Sequence, residues 1–141
     1  MAEITLRTDL AELARLAAFV EQFADEAALA VAVAFQLNLV LDELVTNSID
    51  YGHAEATRGS ATIHLRLERV ADVVEVDLID EGLAFDPRTL PEPNLDAPLA
   101  ERPIGGLGIH LVRRYVDEFD YRREGGRNHI RLRKRLNAAA P

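Results

Sequence analysis

The sequence predicts an α+β fold in two layers, a mostly antiparallel, mixed sheet with helices on one face only. Three observations carry that reading. Apolar residues recur at helical spacing through the first third of the chain and then switch to strict alternation. Each alternating segment has a single apolar face, whereas the strands of a doubly wound parallel sheet are buried on both. The alternating segments come in pairs joined by short connections, as hairpins do.

Residues 3–7, EITLR, read as a short strand. From Leu10 to Phe23, the residues Leu10, Leu13, Leu16, Ala17 and Val20 recur at three and four, predicting an amphipathic helix capped by Thr8 or Asp9. A second helix is expected to start at Asp25-Glu26 and run to about Tyr51, burying Leu37, Val40, Leu41 and Leu44, with Gly52 as its C-cap. ATIHLRL (61–67) and VVEVDLID (73–80) form a hairpin through the short connection Glu68–Asp72. In the second of these strands Val74, Val76 and Leu78 share a face with Asp80. FDYRR (119–123) and NHIRLRKRL (128–136) form another hairpin around Gly125-Gly126, with Ile130, Leu132 and Leu136 pointing inward. Five of the six prolines fall within 87–103, which rules out helix or central strand there and predicts a lid loop over about 87–104. IGGLGIHLVRRYVDEF follows, a glycine turn opening a third helix. The expectation is one domain over residues 1–141.

Composition narrows the function. With 141 residues, 48% of them hydrophobic and 28% charged, the chain can bury a core, so a disordered tail is excluded. There is no cysteine, hence no disulfide, thiolate nucleophile or cysteine metal site. No apolar run approaches the roughly 20 residues of a membrane span, and the opening MAEITLRTDL lacks a signal-like apolar core, so a cytoplasmic protein is expected. The net charge is −8, yet residues 102–141 hold ten basic and four acidic side chains. Four of those arginines, Arg127, Arg131, Arg133 and Arg135, fall at strand spacing without an aromatic platform, which fits a solvated sheet face better than a nucleic-acid site.

Three constellations could carry chemistry. Glu43 and Asn47 lie four apart on the second helix, with Asp50 one turn on, and a carboxylate beside an amide oxygen suits a hard cation and a proton transfer. The alternative is an ordinary solvated face. Asp80 ends a strand on the buried side of the pleat, so its carboxylate needs donors such as the exocyclic amine of a purine, and Gly82 would let a base approach the backbone closely. Alternatively, the two residues only make the turn. Gly105, Gly106, Leu107 and Gly108 start a helix, where converging N–H groups and the helix dipole can hold phosphate; a hinge between lid and helix is the other reading. A P-loop is excluded because the only lysine, Lys134, lies in the last strand.

The order of these motifs, ELVTNSIDYG, then DEGLAFDP, then GGLGIHLVRRYVDEFDY, resembles the N, G1 and G2 boxes of the GHKL ATPases with their Bergerat fold. Within that superfamily the chain resembles the stand-alone anti-sigma factor serine/threonine kinases of bacterial partner-switching systems. The resemblance implies ATP and Mg²⁺ as cofactors. Asn47 would hold the metal against the phosphates, and Glu43 would accept the proton of the attacking hydroxyl. Asp80 would bond the adenine amine with Gly82 beneath the base, and the turn Gly105, Gly106, Leu107 and Gly108 would cradle phosphate. It further implies a small anti-anti-sigma (STAS-type) antagonist as substrate, a sigma factor or other effector as the sequestered partner, and a homodimer. Neither nucleic acid nor membrane is expected as a partner. A non-catalytic ATP/ADP-binding module that switches partners is the competing reading. An isolated histidine kinase catalytic domain fits less well, since no helix hairpin bears a phosphoacceptor histidine.

Overall fold

The structure is a computed structural model that describes residues 1–53, 59–90 and 106–136. Strands β1 (Ala2–Arg7), β2 (Thr62–Val70), β3 (Val73–Asp80), β4 (Glu118–Glu124) and β5 (Arg127–Arg135) form one sheet in the order β1-β2-β3-β5-β4. All of its described pairings are antiparallel, with no parallel pair among them. Helices α1 (Leu13–Glu26), α2 (Val31–Gly52) and α3 (Gly106–Tyr115) cover one face. The two expected layers are therefore present.

Alternation decides which face the helices cover. Ile63, Leu65 and Leu67 of β2, Val74, Val76 and Leu78 of β3, and Ile130 and Leu132 of β5 are buried. They meet Leu16 and Val20 of α1, the expected stripe Leu37, Val40, Leu41 and Leu44 of α2, and Ile109 and Val112 of α3. The other face carries the basic strand residues, crossed by ion pairs such as Arg131–Glu75, Arg133–Glu118 at 3.2 Å and Arg127–Glu81 at 3.2 Å. Exposed pairs of this kind contribute about 0–1 kcal/mol each, and they leave the arginines of the last strand on a solvated outer surface.

Three boundaries differ from expectation. Asp25-Glu26 does not start α2; it completes α1, which a Schellman turn then stops. Ala28 N–H donates to Asp25 C=O (3.2 Å), Leu29 N–H donates to Ala24 C=O (2.9 Å), and Ala28 takes φ 55°. Glycine usually fills that left-handed position, so an alanine there concealed the break. Leu10, expected at the start of α1, instead opens a turn of 3₁₀ helix (Leu10–Glu12) capped by Asp9, and is exposed. Gly52 is not a left-handed C-cap but the last helical residue, followed by extended His53 (φ −133°). Its backbone carbonyl has another task, described below.

Both hairpins form. The first turns at Ala71-Asp72, with Ala71 at φ 54°, and the second at Gly125-Gly126, whose φ values of 58° and 76° suit a tight two-residue loop. At the start of the expected lid loop, where the prolines excluded helix, Pro87–Thr89 nevertheless makes one turn of 3₁₀ helix, since proline fits the first position of a helical turn, with Asp86 capping Arg88 N–H at 3.0 Å. The rest of the expected lid loop 87–104, and Gly105, lie outside the described residues.

Candidate functional site

The C-terminal half of α2 lies over the end of β3 and the first turn of α3, and the three motifs converge there. Helical spacing turns Glu43 and Asn47 toward the same neighbours. Asn47 is buried, with 3% of its surface exposed, and lines a cavity with Leu44, Ser48, Asp80, Phe85 and Asn128. It is therefore not part of a solvated face. Asp50, one turn on, is exposed.

Glu43 is half-buried against α3. A Cβ built on Gly108 would stand 1.8 Å from the Glu43 carboxyl carbon, so with that carboxyl in this position only glycine fits. Burial pushes the Glu43 carboxyl above the ordinary glutamate range; the Asn47 amide partly offsets this, and Asp42 and Asp50 add to it. Even so, Glu43 Oε1 and Asn47 Nδ2 are both buried without a hydrogen-bond partner of normal geometry. Native interiors rarely tolerate that except where a ligand, ion or water completes the set. Gly106 and Leu107 precede Gly108 in the first turn of α3, and Gly105 lies outside the described residues.

Asp80 closes the opposite wall. Its Oδ1 accepts from Gly82 N–H (2.8 Å) and Asn128 Nδ2 (3.0 Å), and its Oδ2 accepts from Ser48 Oγ (2.9 Å). Gly82 is pressed onto the end of α2: a Cβ there would lie 2.2 Å from the Gly52 carbonyl oxygen and 2.8 Å from His53 Cε1. That carbonyl accepts from Leu83 N–H at 2.6 Å, and Arg123 Nη1 donates to the Gly82 carbonyl at 2.6 Å. Phe85 stacks on Tyr51 with ring centroids 4.9 Å apart, which fixes the following segment over α2.

Ser48 and Asn128 are the two residues that the sequence motifs missed. Ser48 sits beside Asn47, but nothing local marks its hydroxyl as a donor to a strand 32 residues away. Asn128 meets Asp80 because β5 inserts next to β3 with Asp80 opposite Asn128, an order that hairpin reasoning does not supply.

The donor set fits a divalent cation and a nucleotide in kind: amide and carboxylate oxygens for a hard ion, a strand-end carboxylate for a base, and a glycine-started helix for an anion. The enclosed space is about 10 Å³, room for one water, so seating a base requires its wall, which includes Phe85 and Pro87, to yield.

Fold and motif order together define an ATPase domain of the GHKL class. The chain belongs to the histidine kinase-like ATPase domain family, whose model matches residues 6–134, and such a domain binds ATP. Serine/threonine-protein kinase BtrW of Bordetella bronchiseptica is 34% identical over 98 residues, covering 70% of this chain and 68% of that protein. Among solved structures, the RsbU and RsbW domains of Rv1364c from Mycobacterium tuberculosis superimpose with TM-score 0.63 at 14% identity, covering 96% of this chain and 33% of the other. The histidine kinase domain of Erythrobacter litoralis EL346 blue-light activated histidine kinase gives 0.53 at 20%, covering 93% and 62%. This chain thus spans a third to under two thirds of those structures, and at such identity they speak for the fold. Among the described residues, no helix is long and apolar enough to cross a membrane.

Proposed function

We propose that the protein is an ATP- and Mg²⁺-dependent serine/threonine protein kinase of anti-sigma factor type. It would phosphorylate a small antagonist protein and sequester a sigma factor or another effector. The observation that carries the reading is the unpaired Glu43–Asn47 couple under the glycine-started helix α3, supported by the likeness to a named serine/threonine-protein kinase.

Asn47 would hold the metal through its amide oxygen, Asp80 and Gly82 would seat the adenine, and Gly105, Gly106, Leu107 and Gly108 would face the phosphates. Bound Mg-ATP would supply the transferable phosphoryl group and the charge that neutralises it. Glu43 would take up the proton of the acceptor serine or threonine hydroxyl. Its raised pKa moves it toward the range where a general base is both ionised and basic enough. Little else is asked of the protein, because phosphoryl transfer depends mostly on positioning and electrostatics.

The test is incubation with labelled ATP, Mg²⁺ and candidate antagonist proteins. Label on an antagonist serine or threonine is the expected result. Nucleotide binding without transfer to any antagonist would leave the ATP/ADP-gated partner switch as the function.

A further inference from the structure

One charged residue lies where the alternation of β5 calls for an apolar one. Ile130 and Leu132 are buried under the helices, and Lys134, the next position on that face, pairs in register with buried Val74. It is the only lysine in the chain. Burial holds its pKa below the ordinary lysine range, and Asp117 offsets this only in part. An ammonium kept half-buried needs a partner.

Its partner is the end of α3. Lys134 Nζ donates to the carbonyl of Tyr115, the last residue of that helix, at 2.6 Å, and lies 5.9 Å from the centroid of the Tyr115 ring. The helix dipole favours a cation there, beside carbonyls that no helical N–H reaches. The neighbouring residues of β5 hold the chain just beyond. Asp117 N–H donates to the Arg133 carbonyl (2.9 Å), and Arg135 N–H donates to Asp117 Oδ2 (2.6 Å). Directional bonds thus tie the C-terminal end of α3 to the sheet.

The other end of α3 is the glycine turn beside Glu43. The 10 residues of this helix make a stiff rod about 15 Å long, so what fixes one end fixes the other. Its apolar anchors, Ile109 and Val112, keep the rod on the sheet. Apolar contact is non-directional, however, and does not set the height of the rod along its own axis. Hydrogen bonds do, because they weaken steeply with distance and angle. We infer that Lys134 is a remote positioning residue: by tying the last carbonyl of α3 to β5, it sets the height at which Gly106, Leu107 and Gly108 meet the phosphates of a bound nucleotide. This inference rests on the reading of the site as an ATP site.

The experiment is titration calorimetry of the full chain with ADP and Mg²⁺, and with adenosine by displacement of ADP, for wild type, Lys134→Met and Asp117→Ala. A shift of about 1 Å made far from the chemistry can cost about 100-fold, so Lys134→Met should lose at least about 10-fold in ADP affinity. Its adenosine affinity should stay within about 2-fold of wild type, because adenosine has no phosphate for α3 to meet. A lysine that served only the stability of the fold would leave the ratio of the two affinities unchanged. Asp117→Ala, which frees the same end of α3 from Arg135, should shift the ratio in the same direction, and it decides the matter should Lys134→Met fail to fold. An ADP/adenosine ratio unchanged in folded Lys134→Met overturns this inference alone. Wild type that does not bind ADP overturns the ATP-site reading and this inference with it.

Discussion

Replacing Gly82 and Gly108 by alanine, one at a time, separates the stability of the site from its chemistry. At Gly82 the new Cβ would stand 2.2 Å from the Gly52 carbonyl oxygen, roughly 1 Å inside ordinary contact distance. That oxygen belongs to the end of a 22-residue helix and cannot swing aside. Overpacking costs about 1–3 kcal/mol, and losing the Leu83 N–H to Gly52 bond costs about 1 kcal/mol more. Gly82→Ala should therefore lose about 2–4 kcal/mol, a fall in Tm on the order of 10 °C. At Gly108 the clash is closer, 1.8 Å, but its partner is the tip of the flexible Glu43 side chain. Moving that carboxylate to another rotamer costs about 1 kcal/mol, which the better helix propensity of alanine offsets to within about 1 kcal/mol. Gly108→Ala should melt within a few degrees of wild type, yet lose at least about 100-fold in phosphoryl transfer because Glu43 has been displaced. Thermal melts and transfer of label from ATP to the antagonist measure the two effects. A Gly108→Ala variant that transfers phosphoryl at the wild-type rate would refute the reasoning, as would a Gly82→Ala variant with unchanged Tm.

Glu43→Gln should abolish transfer while raising Tm at neutral pH. The folded carboxyl has a raised pKa, so its contribution to stability is fully present below the unfolded value and is lost as pH rises through the folded one. The glutamine variant escapes that loss, and the gap in Tm between the two proteins should widen from acid to neutral pH. For the same reason, wild-type transfer should fall off on acidification at a higher pH than an ordinary glutamate would give. Asn47→Ala should remove Mg²⁺-dependent ATP binding in calorimetry while folding normally, because the amide Nδ2 it deletes makes no hydrogen bond of normal geometry. Equal ATP affinity in the variant and wild type would count against the metal assignment. Ala28→Gly should stabilise the protein by about 0.5–1 kcal/mol in urea melts, by relieving a left-handed alanine (φ 55°), and leave transfer unaltered.

Periodicity alone was enough to predict the two layers, because one apolar face per strand and one stripe per helix admit few other arrangements. Strands β2, β3, β4 and β5 lie within a few residues of expectation, and so does the buried stripe of α2. The motifs Glu43–Asn47, Asp80–Gly82 and Gly106–Gly108 were legible as candidates because the members of each lie within a few residues along the chain. The α1–α2 break was not. Its stop is made by backbone hydrogen bonds around Ala28, a residue whose type carries no turn signal.

What only tertiary structure decided is how completely each polar group is used. Strand order sets Asn128 opposite Asp80, and packing of α2 on the sheet brings Ser48 to the same carboxylate. The end of α2 presents the Gly52 carbonyl to the turn after β3. These partners are separated by 30 or more residues, and hydrogen bonds depend on distances of a few tenths of an ångström that no local pattern encodes. The residue types of the candidate site were thus written along the chain, while the protein partners that each of them meets were settled by the fold.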